Sequence, residues 1–172
     1  MTVTLVETSL PDLNITWTAD FDSGVPDVWR LWADPRLLEL WMGPPTYPAQ
    51  VESHKLVPGG EVVYAMTGPA REKFAGNWRF ESINPPTSLS YVDGDSDSEG
   101  GMPVTRWSIN LTARPGGSRM ELRYSIASRD GMDHMISMGT EEGHALTIGQ
   151  MDDLLSRLPE HAAPTTLRGH SR

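Results

Sequence analysis

Only the last third of this chain carries a long helical pattern unbroken by proline. Asp130–Leu158 contains no Pro, and Ile136, Thr140, Gly143, Thr147, Met151, Leu154 and Leu158 recur at steps of three or four, the period of one helix face. Asp130 stands where a cap is needed and Pro159 where the helix must stop. At about 1.5 Å per residue, the pattern predicts one helix of roughly 40 Å. Gly139, Gly143 and Gly149 lie within it, and each costs about 1 kcal/mol relative to Ala in a helix interior. Close approach to a sheet, or room for a ligand, would explain them.

Everything upstream is divided into short pieces by Pro and Gly. Residues 1–12 alternate weakly and end at Pro11, reading as an N-terminal extension with a short edge strand. Leu13–Phe21 alternates apolar and polar residues at period two, the signature of a half-buried strand. Asp22 or Ser23 can cap the next segment, where Pro26 and Asp27 suit a first turn and Val28, Leu31 and Trp32 form an apolar stripe. That helix must end before Pro35, which opens a second short helix reaching Trp41. Strand patterns follow at Tyr47–Lys55, Glu61–Met66, Arg71–Ile83, Ser88–Val92, Val104–Ala113 and Arg119–Ala127, with turns at Pro58-Gly59-Gly60, Asn84-Pro85-Pro86 and Arg114–Ser118. Strands in series joined by short turns make an antiparallel sheet. The expected fold is therefore α+β: a curved sheet of about six or seven strands wrapped on a long C-terminal helix, a helix-grip arrangement. Residues 13–158 form its single domain, and the small, polar residues 159–172 read as a disordered tail.

Composition removes several functions. There is no Cys, which excludes disulfides, thiolate metal sites and thiol nucleophiles. The net charge of −9 repels phosphate backbones, arguing against nucleic acid as a partner. No apolar run approaches the roughly 18 residues needed for a membrane span, and the first residues lack a basic segment followed by an apolar one. The expectation is a cytoplasmic protein without a membrane span. Six Trp and nine Met against three Phe suit an irregular or hollow interior.

Familiar chemical constellations are incomplete. Glu141 and His144 share a helix face at the spacing of half a di-iron site, but the chain has no second copy. His134 and His144 are separated by about 15 Å along one helix, too far to share a metal. Asp93–Glu99 imitates the start of a calcium loop, yet Ser98 and Val104 stand where Gly and Glu are required; it reads as a solvated polar loop. Nucleotide-cradling and nucleophile-elbow motifs are missing from the sequence. The expectation is no metal and no cofactor.

Several short motifs, taken in order, resemble a known family: Phe21–Trp29 followed by Trp32-Ala33-Asp34-Pro35, then Trp41-Met42-Gly43-Pro44, Val57-Pro58-Gly59-Gly60, Gly76–Pro86, and finally Gly143-His144 with Ile148, Met151 and Leu155. The chain resembles the SRPBCC superfamily, in the branch of the activator of heat-shock protein 90 ATPase. The resemblance implies a START-like helix-grip fold with a hydrophobic cavity between sheet and C-terminal helix. It also implies three functional readings: binding of a lipid-, sterol- or polyketide-like molecule, a polyketide cyclase or hydratase, or a chaperone-interacting module. Met42 and His144 stand where the family often carries Trp, which would reshape the cavity. The candidate ligand-binding residues are Trp41, Met42, Tyr64, Met66, Trp78, Trp107, Met135, Met138 and His144. An enzyme would need an acid or base, for which His144, His134 and Glu142 are the candidates. Sheet edges and exposed Trp would allow a homodimer.

Overall fold

The computed structural model describes residues 3–94 and 104–159. Eight strands form one open antiparallel sheet: β1 (Val3–Ser9), β2 (Asn14–Phe21), β3 (Ala49–His54), β4 (Glu61–Thr67), β5 (Lys73–Asn84), β6 (Ser88–Asp93), β7 (Thr105–Arg114) and β8 (Gly117–Ile126). Their spatial order is β1-β2-β8-β7-β6-β5-β4-β3. Successive strands from β3 to β8 are neighbours, and β2 closes against β8. The short helices α1 (Val25–Ala33) and α2 (Pro35–Trp41) fill the long connection from β2 to the far edge. The predicted α+β helix-grip class holds, with the N-terminal segment completing the sheet as an edge strand.

Local chemistry sets the element ends. Pro26 and Pro35 each occupy the first turn of a helix, where a missing N–H costs nothing. The Asp34 carboxylate accepts from the Arg36 N–H at 2.9 Å, capping α2. Helix α1, by contrast, starts at Gly24 without a side-chain cap, so neither Asp22 nor Ser23 serves there. The β7–β8 turn is tighter than the sequence suggests, because Pro115 and Gly116 suffice, with Gly116 at φ 79°.

The C-terminal helix departs from expectation. It is two helices, α3 (Arg129–Ser137) and α4 (Thr140–Arg157). Gly139 adopts φ 84°, a left-handed conformation that costs little only for glycine, and the chain turns there. Ser128, rather than Asp130, caps α3, accepting from the Gly131 N–H at 3.0 Å. Gly143 and Gly149 have no neighbour that an added Cβ would meet, so close sheet packing does not explain them.

Helix α4 lies over the sheet near β1 and β2 and also meets α1, α2 and α3. The Gln150 amide donates to the carbonyls of Trp41 and Gly43, both at 2.8 Å, fastening α4 to the end of α2. Helix α2 is in turn tied to β3: Arg36 donates to the Val51 carbonyl and Glu39 accepts from its N–H. The core lies between sheet and helices, from Ile15, Ala19 and Phe21 through Leu122 to Ile148, Met151 and Leu155.

The three glycines therefore separate by role. Gly143→Ala and Gly149→Ala should each gain up to about 1 kcal/mol from helix propensity. Gly139→Ala should lose about 1 kcal/mol or more, because Ala must take the left-handed conformation. Urea-induced unfolding of the three variants reads the difference directly.

Candidate functional site

Alternation along each strand sends every second residue to the helix-covered face. On six adjacent strands that face carries an aromatic ring: Trp17 on β2, Tyr124 on β8, Trp107 on β7, Tyr91 on β6, Trp78 on β5 and Tyr64 on β4. Trp17 stacks on Trp107 with centroids 6.2 Å apart, Trp107 on Tyr91 at 6.1 Å, and Tyr91 on Trp78 at 4.3 Å. Tyr124 meets Trp107 edge-on at 4.8 Å, and Tyr64 meets Trp78 edge-on at 5.8 Å. These separations lie in the attractive range for offset and edge-to-face rings. Gly76 makes the Tyr64 position possible, since a Cβ there would stand 2.5 Å from the Tyr64 ring end and hydroxyl.

Helices close the band from above. His144 of α4 lies 4.7 Å from Trp107 and 5.1 Å from Trp17. Its Nδ1 pairs with the Thr140 carbonyl at 2.9 Å. Burial holds the imidazole below its ordinary 6.5, opposed by that backbone hydrogen bond, so the ring is neutral at pH 7 with Nδ1 as donor. Trp32 of α1 lies 6.3 Å from both Trp78 and Tyr91 and packs on Trp41 at 4.6 Å. The Trp17 indole donates to the Glu141 carbonyl and the Trp41 indole to the Leu31 carbonyl.

Asp93, the last residue of β6, joins the band. It continues the inward series Leu89, Tyr91 and sits opposite Trp78 on one side and Thr105 on the other. Burial raises its carboxyl from 3.8 to about 6, against the pull of hydrogen bonds from the Gly94 N–H and the Trp78 indole. Its charge adds to burial in raising Tyr64, Tyr91 and Tyr124, the last to about 12. The Tyr124 hydroxyl is buried without a hydrogen-bond partner. The Trp107 indole donates to the Thr105 hydroxyl at 3.0 Å.

Several expected site residues therefore meet and others do not. Tyr64, Trp78, Trp107 and His144 share the band. Trp41 reaches it through Trp32, and Met42 is buried just past α2. Met66 and Met135 are half-buried against the same core. Met138 does not belong: it caps α3 at the helix break and is 61% exposed. His134 and Glu142 are exposed, because the turn at Gly139 changes which faces point inward. Glu141 accepts from the Thr8 hydroxyl at 3.0 Å, so it faces β1 while the His144 ring faces Trp17 and Trp107. Among the described residues, no group of His, Asp and Glu is arranged to hold a metal.

Trp17, Tyr91, Tyr124 and Asp93 are site residues that the sequence reading left out. Their signal is present in the sequence, as at least one aromatic per strand at inward positions, with Phe21 beside Trp17 on β2 and Phe80 beside Trp78 on β5. Asp93 was assigned to the solvated loop, but it extends the period-two series of β6. Residues 95–103, the remainder of that loop, lie outside the described residues, as do residues 160–172 of the expected tail. All six Trp are buried, so exposed Trp offers no argument for a dimer.

An open antiparallel sheet gripping a C-terminal helix over an apolar face defines a helix-grip protein. The family model of Activator of Hsp90 ATPase homolog 1-like protein matches residues 24–156, and the chain belongs to that family, within the SRPBCC superfamily, whose fold is in general a ligand-binding one. The chain is similar to protein Ms6760 from Mycobacterium smegmatis, with 40% identity, a TM-score of 0.80, and coverage of 90% of this chain and 98% of that one. A protein from Arthrobacter aurescens shares 36% identity with a TM-score of 0.84, covering 99% of both chains. A Rhodobacter sphaeroides protein shares the fold at 16% identity, with a TM-score of 0.80, covering 91% of this chain and all of that one. None of the curated proteins compared with the chain matches it. No helix among the described residues is long and apolar enough to cross a membrane.

Two stability measurements test this geometry. With its carboxyl raised to about 6 in the folded state, Asp93 binds more protons folded than unfolded between roughly pH 4 and 6. Its contribution to stability therefore falls as pH rises through that window, by up to roughly 3 kcal/mol. Asp93→Asn should be more stable than wild type at pH 7.5, by about 1–3 kcal/mol, and should lose that slope. Urea melts from pH 4 to 8 provide the comparison; identical slopes would contradict the assigned environment. Tyr124→Phe removes an unpartnered hydroxyl and should leave stability unchanged or raise it by about 1 kcal/mol in the same melts.

Proposed function

We propose that the protein binds an apolar or amphipathic small molecule, of lipid-, sterol- or polyketide-like character, against the aromatic band between the sheet and the C-terminal helices. One observation carries this reading: six adjacent strands each offer a ring to the same covered face. Flat, rigid surfaces of this kind suit flat, apolar ligands, and a few polar groups orient them. His144, Tyr64 and Asp93 are the polar groups available. Cyclase-like catalysis has less support, because the internal imidazole and the internal carboxylate do not meet. His144 lies against Trp107, Asp93 lies against Trp78, and Tyr91 separates the two indoles. The chaperone-interacting reading is supported by the family's description, and a homodimer by the open edges β1 and β3.

The test is a fluorescence titration with an apolar probe such as anilinonaphthalenesulfonate, followed by displacement with a fatty acid, a sterol and a flat aromatic polyketide. Saturable binding with a Kd on the order of micromolar is expected. His144→Trp, which enlarges the side chain packed on Trp17 and Trp107, should weaken it by about tenfold or more. Phe74→Ala, an exposed control, should not. Non-saturable uptake, or equal binding by His144→Trp, would remove the proposal.

A further inference from the structure

The polar end of the aromatic band has a chemistry of its own. Asp93 places a carboxylate among ring systems from the flanking strands. Tyr64 on β4 and Trp78 on β5 form two walls, edge to face at 5.8 Å with an interplanar angle of 63°. Tyr91, two residues before Asp93 on the same strand, stacks on Trp78 at 4.3 Å. Tyr124 on β8 and Thr105 on β7 complete the surroundings, the Tyr124 hydroxyl having no partner. The titratable groups around Asp93 are thus Tyr64, Tyr91 and Tyr124, all raised by burial and all neutral at physiological pH.

What this surround lacks is a cation. Among the described residues, no Lys, Arg or His forms an ion pair with Asp93. The nearest base in sequence, Arg106, is engaged with Glu81 at 2.6 Å, and residues 95–103 contain no basic residue at all. Hydrogen bonds from the Gly94 N–H and the Trp78 indole address the carboxylate but carry no charge. Aromatic faces attract cations through their quadrupoles, and a carboxylate beside them adds a full opposite charge and a strong acceptor. Three neutral phenols and an indole around an anion, with no internal counter-ion, form a receptor for a positively charged group.

We infer that the ligand of the aromatic band carries a basic nitrogen, which docks at Asp93 beside the rings of Tyr64, Trp78 and Tyr91 while its apolar body lies along Trp107 toward His144. This rests on the small-molecule reading above and narrows it to amphipathic or aromatic amines. Both parts of the ligand have their counterparts: the cation meets Asp93 and the phenols, and the ring or chain meets the stacked indoles. A ligand bearing a carboxylate would meet Asp93 with like charge.

Three probes of matched shape separate the possibilities: naphthylmethylammonium, naphthylmethanol and naphthoate, titrated calorimetrically into the full chain. At pH 7.5 the wild type should bind the ammonium about tenfold more tightly than the alcohol, with naphthoate the weakest. In Asp93→Asn the ammonium and alcohol should bind equally within about twofold. The wild-type preference should also shrink at pH 5, where Asp93 takes up a proton and the amine stays charged. Equal binding of ammonium and alcohol by the wild type would overturn the amine assignment and leave the small-molecule reading standing. A preference that survives in Asp93→Asn, or that does not change between pH 7.5 and 5, overturns it as well. No binding of any probe, including the apolar fluorophore, would overturn both.

Discussion

A sheet with an aromatic ring on six adjacent strands of one face cannot leave that face in water. Each such ring buries roughly 150–250 Å² when covered, so the band is a large apolar surface, and α1 and α4 lie over it through Trp32 and His144. Period-two alternation makes the constraint strict, because a slip of one residue on any strand would turn its ring to solvent. The stacked contacts from Trp17 through Trp107 and Tyr91 to Trp78 fix the register of four strands at once.

Two separate pieces of chain supply the cover, and hydrogen bonds align them. Helices α1 and α2 roof one side with Trp32 and Trp41, while α4 roofs the other with His144. Their junction is the Gln150 amide, which satisfies the carbonyls of Trp41 and Gly43 left open past α2. The Trp17 and Trp41 indoles find acceptors in helix carbonyls, so neither donor is buried unpaired. Three groups in or on the band stay poorly compensated: the Trp32 indole and the Tyr124 hydroxyl, which have no hydrogen-bond partner, and the Asp93 carboxylate, which has hydrogen bonds but no ion-pair partner among the described residues.

Most of the scaffold was legible from the chain. Strand positions followed from alternation, and both short helices from Pro26 and Pro35, because these signals are local. The break between α3 and α4 was not. Ile136, Thr140, Gly143 and Thr147 keep a helical period across it, so the pattern continues where the backbone does not. Only Gly139 marked the spot, and a glycine within a stripe reads equally well as packing or as a turn. Misplacing that turn also misassigned His134, Glu142 and Met138, whose directions depend on it. Asp93 was obscured by the opposite effect: the polar run after it made a strand end look like a loop. Trp17, Tyr91 and Tyr124 needed the strand order, which no local pattern contains, before they could be seen as one surface.

The turn at Gly139 also divides the roof mechanically. Helix α4 is anchored by Gln150, by the Trp17–Glu141 hydrogen bond and by buried Ile148, Met151, Leu154 and Leu155. Helix α3 has one fully buried residue, Met132. Opening free energies scale with buried apolar contact, so α3 detaches at lower cost than α4. The left-handed glycine between them marks where the two helices part. Local opening therefore starts at a single short helix, while the register of the stacked rings is held by the sheet and α4.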